Sequence, residues 1–229
     1  MNTLFLQINN AAEGAEDMVG EETISIFQLI QDGGWYIMGP LAIFSVLAVY
    51  IFFERYFAIK KASKEDKGFM STLKGHIQQG NFNEAKNVCA KNDTPMARML
   101  EKGVSRIGKP IKEINASIEN VGKLEVYNLE RNLSTLATIA GAAPMIGFLG
   151  TVLGMIFTFH SMKISGNGVE ISELSGGIMQ AMVTTVAGLV IGIIAYIGYN
   201  TLVTKIDKLV NRLEAASMEF MDLLDEPGL

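Results

Sequence analysis

Residues 133–159 read LSTLATIAGAAPMIGFLGTVLGMIFTF, a run without a single charged side chain. An α-helix needs about 20 apolar residues to cross about 30 Å of hydrocarbon, and this run is long enough. Two further windows share its character, Trp35 to Phe53 before it and Ile178 to Tyr199 after it. Burying three such helices in a soluble core would need far more polar chain than 229 residues leave, with 49% of them hydrophobic. The sequence therefore predicts an all-α membrane protein with three transmembrane helices.

Lysine and arginine orient the spans. Residues 1–34 contain neither, but carry Glu13, Glu16, Asp17, Glu21, Glu22 and Asp32. The sign changes after the first span, with Arg55, Lys60, Lys61, Lys64, Lys67 and Lys74. Of the 19 basic residues, only Lys163 falls in the connection between spans two and three, and Lys205, Lys208 and Arg212 follow span three. Basic loops stay cytoplasmic, which predicts an N-terminus outside and a C-terminus inside the cell in a multi-pass membrane protein. Trp35 and Tyr36 would anchor the outer edge of span one, and Tyr196 and Tyr199 the inner edge of span three.

The expected segments follow. Residues 1–34 form a periplasmic segment, in which Phe27, Leu29 and Ile30 suggest a short amphipathic helix ended by Gly33-Gly34. Residues 35–53 form span one, 54–132 a cytoplasmic helical region, 133–159 span two, 160–174 a periplasmic loop, 175–201 span three, and 202–229 a cytoplasmic helix. Between 62 and 110 the chain is punctuated by Gly75, Gly80, Pro95, Gly103, Gly108 and Pro110, which predicts short helices, one starting near Asn81. From Pro110 to Pro144 no proline intervenes, and Ile111, Ile114, Ile118 and Val121 keep a helical repeat. Span two is thus expected to be one long helix that begins inside the cytoplasm.

Span three is expected to continue likewise. Leu202, Ile206, Leu209, Leu213, Ala216, Phe220 and Leu223 are spaced alternately four and three apart, an a/d seam. Its partner is either this chain's own span-two extension or a neighbouring subunit, and the seam points toward oligomerisation.

At membrane depth the chain carries no Asp, Glu, Lys, Arg or His, whereas a protein that relays protons alone places an ionisable group there. Small and hydroxyl residues stand instead. In span two Gly147, Thr151, Gly154 and Thr158 share one face; in span three Ala181, Thr185, Gly188, Gly192 and Ala195 do, flanked by Gln180 and Thr184. Gly150/Gly154 and Gly188/Gly192 are GxxxG pairs, which let helices approach closely. Threonine hydroxyls can bond carbonyls of their own helix, so tight packing alone explains this periodicity equally well. Pro144 removes a backbone hydrogen bond near the start of span two. Cys89, His76 and His160 form no ligand-spaced set, and phosphate-binding loops and dinucleotide fingerprints are missing. No metal, cofactor or enzymatic activity is expected.

The stretch Ala143-Pro144-Met145-Ile146-Gly147-Phe148-Leu149-Gly150-Thr151-Val152-Leu153-Gly154-Met155 resembles the "aPfiGLLGTVwGi" signature of the MotA/TolQ/ExbB proton-channel family. GIMQAMVTTVAGL, with Ile178 to Leu189 and the glycine before it, resembles that family's third-span signature, and Gly198-Tyr199-Asn200 its exit from the membrane. Gly33-Gly34, Pro40-Leu41 and Glu54-Arg55 fit its first span, so the resemblance extends over nearly all of residues 30–210. Three spans resemble the ExbB and TolQ members rather than the four-span MotA type.

The resemblance implies a homopentamer around two copies of a single-span ExbD-like partner, whose membrane aspartate is the protonatable group. It implies that Thr151 and Thr185 line the pathway and face that aspartate, with Thr184, Gln180 and Thr158 nearby. Pro144, Gly147, Gly150, Gly154, Ala181, Gly188 and Gly192 would form the packing face. A TonB-like protein would carry the energy to an outer-membrane transporter. Several family members have glutamate where this chain has Gln180, so a mechanism with a second carboxylate there does not transfer. The alternatives are a TolQ-like role in envelope maintenance and, in a different class, a non-conducting helical scaffold.

Overall fold

The computed structural model describes residues 34–64, 68–165 and 171–225, and every regular element among them is an α-helix. The expected amphipathic helix at Phe27, Leu29 and Ile30 lies outside the described residues. In chain order the helices are α1 (Trp35–Ala62), α2 (Phe69–Gln78), α3 (Phe82–Lys91), α4 (Pro95–Val104), α5 (Ile111–Glu130), α6 (Leu133–Ser165) and α7 (Ile171–Asp225). Three stretches are long and apolar enough to cross a membrane: α1, the α5–α6 pair and α7. Only 17–28% of each apolar window is buried within the chain, so most of their surface is left to lipid or to other subunits.

Helix α1 continues beyond the charge-free window to Ala62, where Lys60 and Lys61 occupy the last turn and suit the negative end of the helix dipole. Its buried residues, Leu41, Ala48, Ile51, Arg55 and Ile59, recur at intervals of seven, three, four and four, one face of a helix. Four short elements follow. α3 starts directly after Asn81, as the sequence predicts, but the Asn81 side chain makes no capping bond. α4 is capped: Thr94 Oγ1 accepts from the Ala97 N–H at 3.3 Å, and Pro95 occupies the first turn, where its missing N–H costs nothing.

Two expectations need correction. Span two does not run as one helix from Pro110: α5 ends at Glu130 and α6 begins at Leu133. Arg131 is extended (φ −53°, ψ 135°) and Asn132 adopts φ 67°. Asparagine enters the left-handed region more readily than other β-carbon-bearing residues, so it ends the helix without proline or glycine. Asn132 is the only non-glycine residue with positive φ among the described residues.

The second correction concerns the a/d seam of α7. All seven of its residues are buried within this one chain. They pack against α1, α2, α4 and α5 in a core that includes Leu73, Ile77, Leu100 and Ile118. The seam therefore closes an intramolecular bundle, in part against α5, the chain's own span-two extension and one of the two expected partners, and gives no support for a neighbouring subunit there.

Candidate functional site: the α6–α7 seam

The most extensive helix pair in the chain is α6 with α7, and the sequence permits it because small residues meet along both. Gly147 and Gly188 mark the point of closest approach. A β-carbon on Gly147 would come within 2.8 Å of the Thr184 carbonyl oxygen and 3.1 Å of the Gly188 Cα. Either glycine therefore admits no side chain while the backbones stay in place. Further along, Gly154 faces Ala181, Gly150 faces Thr184, and Gly177 receives the Thr158 side chain. In the other direction Gly192 accommodates the Pro144 ring, and α6 runs through that proline without interruption. Pro144, Gly147, Gly150, Gly154, Ala181, Gly188 and Gly192 thus all lie in this one contact.

The threonines separate into two kinds. Thr184 is 2% exposed, and its hydroxyl donates to the Ala181 carbonyl at 2.7 Å, with the Gly147 carbonyl farther off at 3.4 Å. Thr185 is half-buried and donates across the helix pair to the Gly147 carbonyl at 3.0 Å. Thr151, one turn beyond Gly147, donates to the Phe148 carbonyl of its own helix at 2.6 Å and is also half-buried. Thr158 donates to Gly154 at 2.8 Å. Gln180 is exposed, its carboxamide lying beside Gly34, where a β-carbon would stand 2.5 Å from Nε2.

Thr184, expected to flank the small-residue face and line the pathway, is the threonine locked into the seam. Thr185 stands at the seam's edge. Both residues fall close to the same helical stripe, and the actual crossing of the backbones selects between them. The hydroxyls of Thr151 and Thr185 keep partly open environments on the α6–α7 pair, and the described parts of the spans bring no ionisable side chain beside them.

A second polar feature went unassigned in the sequence. Arg55 is 6% exposed, although it carries a charge at the end of a membrane span. Its Nε donates to Glu54 Oε2 at 2.6 Å, a second nitrogen donates to Glu54 Oε1, and Nη1 donates to the Asn128 carbonyl at 3.0 Å. Its four-residue offset from Ile51 and from Ile59 places it on the buried face of α1, and that spacing is the signal that could have found it. Beside it, Lys61 Nζ meets Asp93 at 2.8 Å, and Arg98 meets Asp93 at 2.6 Å and grips both oxygens of Glu125 at 2.7 Å. Lys61, as hydrogen-bond donor and then as charge, holds the Asp93 carboxyl below its ordinary range, with Arg98 adding to the effect. The buried Cys89 thiol is pushed up to about 12, chiefly by desolvation and then by the Glu101 charge. That suits an inert core residue rather than a reactive one.

Three membrane-length helices, two of them sutured by glycine and threonine without charge at depth, define a polytopic helical membrane protein. The MotA/TolQ/ExbB proton channel family matches residues 91–215. A putative biopolymer transport protein ExbB-like 3 of Synechocystis is 32% identical over 70% of this chain and 77% of its own length. A putative biopolymer transport protein ExbB homolog of Methanothermobacter thermautotrophicus is 24% identical over 83% of this chain and 67% of its own. The biopolymer transport protein ExbB of Pseudomonas putida is 24% identical over 92% of this chain and 68% of its own. The chain belongs to the MotA/TolQ/ExbB proton channel family and within it is ExbB-like. It is thus a multi-pass membrane subunit of a proton-channel motor that works in complex with other proteins.

Proposed function

We propose that this chain forms the channel wall of an inner-membrane motor that uses the proton motive force for biopolymer transport, the last being what the names of its relatives state. The observation that carries the reading is the α6–α7 pair. At membrane depth it offers hydroxyls at Thr151 and Thr185 but no titrating group, so the proton carrier would come from another chain. An ExbD-like single-span partner with a membrane aspartate would supply it, two copies enclosed by a homopentamer of this subunit. The broad apolar surface left uncovered on all three spans is compatible with such a ring. In this reading the N-terminus is periplasmic and the C-terminus cytoplasmic, a TonB-like protein receives the motion, and the subunit catalyses no covalent chemistry.

Thr151 and Thr185 would orient water and bond the partner's carboxylate as it gains and loses its proton. Gln180 cannot titrate and would contribute hydrogen bonds alone. Each proton crossing would deliver about 2.3 kcal/mol per 100 mV. The names of the relatives favour transport over envelope maintenance.

The test is purification of the complex with its co-expressed partner, followed by proton flux in proteoliposomes. Thr151→Ala and Thr185→Ala are expected to assemble normally and lose most of the flux. A complex in which both variants conduct like the parent would remove these threonines from the pathway.

A further inference from the structure

The break between α5 and α6 sits where the polar bundle meets the membrane pair. The last four carbonyls of any α-helix lack intrahelical partners, and at α5 these belong to Tyr127, Asn128, Leu129 and Glu130. The Asn128 carbonyl is taken up by Arg55, reaching from a helix 73 residues earlier in the chain. A cation at that position also suits the negative end of the α5 dipole. Glu54 holds the guanidinium by both oxygens, and so fixes the direction of its remaining donor.

The same end of α5 is fastened a second time. Glu125, one turn before Asn128, is gripped by Arg98 of α4, which shares Asp93 with Lys61 of α1. Two charged ties therefore run from α1 to the C-terminal turns of α5, one direct through Arg55 and one through Asp93 and Arg98. They converge immediately before Arg131 and Asn132, where the backbone leaves the helix and re-enters it as α6.

We propose that Arg55 is a positioning residue of the channel: from α1 it caps the severed end of α5, holds the break at Asn132 in one geometry, and thereby sets how α6 presents Thr151. The consequence for conduction rests on the channel reading above; the hold on the break does not. Burial explains why arginine stands there. A lone buried charge would be strongly unfavourable, and this one is retained with a complete set of partners that only a planar, many-donor group can satisfy together.

The experiment places spin labels at Leu124→Cys on α5 and Met145→Cys on α6, both exposed positions, in the full chain in lipid nanodiscs. Pulsed-dipolar distances are compared with proton flux of the partner-containing complex. The parent is expected to give a narrow distribution. Arg55→Met should broaden it or add a second peak and lower flux roughly tenfold, the scale of a coupling residue. Arg55→Lys, which keeps the charge and can still reach a carbonyl but cannot also hold both Glu54 oxygens, should restore only part of both. If Arg55→Met does not accumulate, Glu54→Gln, which loosens the guanidinium's anchor, is read in its place with the same expectation.

An unchanged distribution in Arg55→Met would overturn the proposal, as would broadening with full flux. A parent complex that passes no protons would instead overturn the channel reading, while the distances still decide what Arg55 does.

Discussion

The two halves of α7 are held by opposite kinds of side chain. From Gly177 to Ala195 it meets α6 through glycine, alanine and threonine, with backbones almost touching at Gly147 and Gly188. From Leu202 to Leu223 it meets α1, α2, α4 and α5 through leucine, isoleucine and phenylalanine. A straight helix of this length extends about 80 Å, so one continuous rod serves two solvents. In lipid a large apolar side chain gains little by leaving the acyl chains for another helix, so association relies on close packing and interhelical hydrogen bonds. In water the same side chain gains about 1.5–3 kcal/mol on burial, and large residues become the economical choice.

The contrast predicts a ranking of substitutions. Gly147→Leu should be the most severe, because its first atom already meets α7 backbone. The expected result is loss of folded protein after membrane extraction, read by size-exclusion chromatography. Gly141→Ala, whose β-carbon would meet nothing within 4 Å, is the control and should behave as the parent. If Gly147→Leu folds normally, the two halves of α7 do not differ as described.

Next comes Phe220→Ala, which removes a fully buried ring packed against Gly103 on α4. Its cost should be about 3–5 kcal/mol in denaturant unfolding of the polar bundle. Ile193→Ala, at a position exposed in the single chain, is expected to stay within about 0.5 kcal/mol of the parent. Equal effects at the two sites would mean that the apolar face of span three is covered.

A smaller loss than at Phe220 is expected from Thr184→Val, which keeps the shape and deletes one buried hydroxyl. It should cost about 1 kcal/mol in the membrane half and leave proton flux intact. Thr185→Ala, which deletes the bond to the Gly147 carbonyl, should cost a similar amount of stability and also lose flux. Flux loss in Thr184→Val would return that residue to the pathway.

The legibility of the sequence followed the same divide. Three charge-free windows and the a/d spacing from Leu202 to Leu223 were readable because each is a pattern along one element, set by solvent and helical pitch. The distinction between Thr184 and Thr185 was not, since both lie near one stripe and only the crossing of α6 and α7 chooses the inner one. The break at Asn132 carried no proline or glycine to announce it. Arg55 read as an ordinary charge at a membrane edge, although its spacing from Ile51 and Ile59 already placed it on the buried face.

By itself, then, the sequence determined an all-α chain with three membrane-length helices and no ionisable group at the depth of the spans, because length and solvation are properties of single segments. Tertiary structure decided what occupies the distal α7 seam, which threonine is locked away, and what holds the severed end of α5. Those are questions of which surfaces meet, and residues as distant as Arg55 and Asn128 acquire their partnership only when the helices are packed.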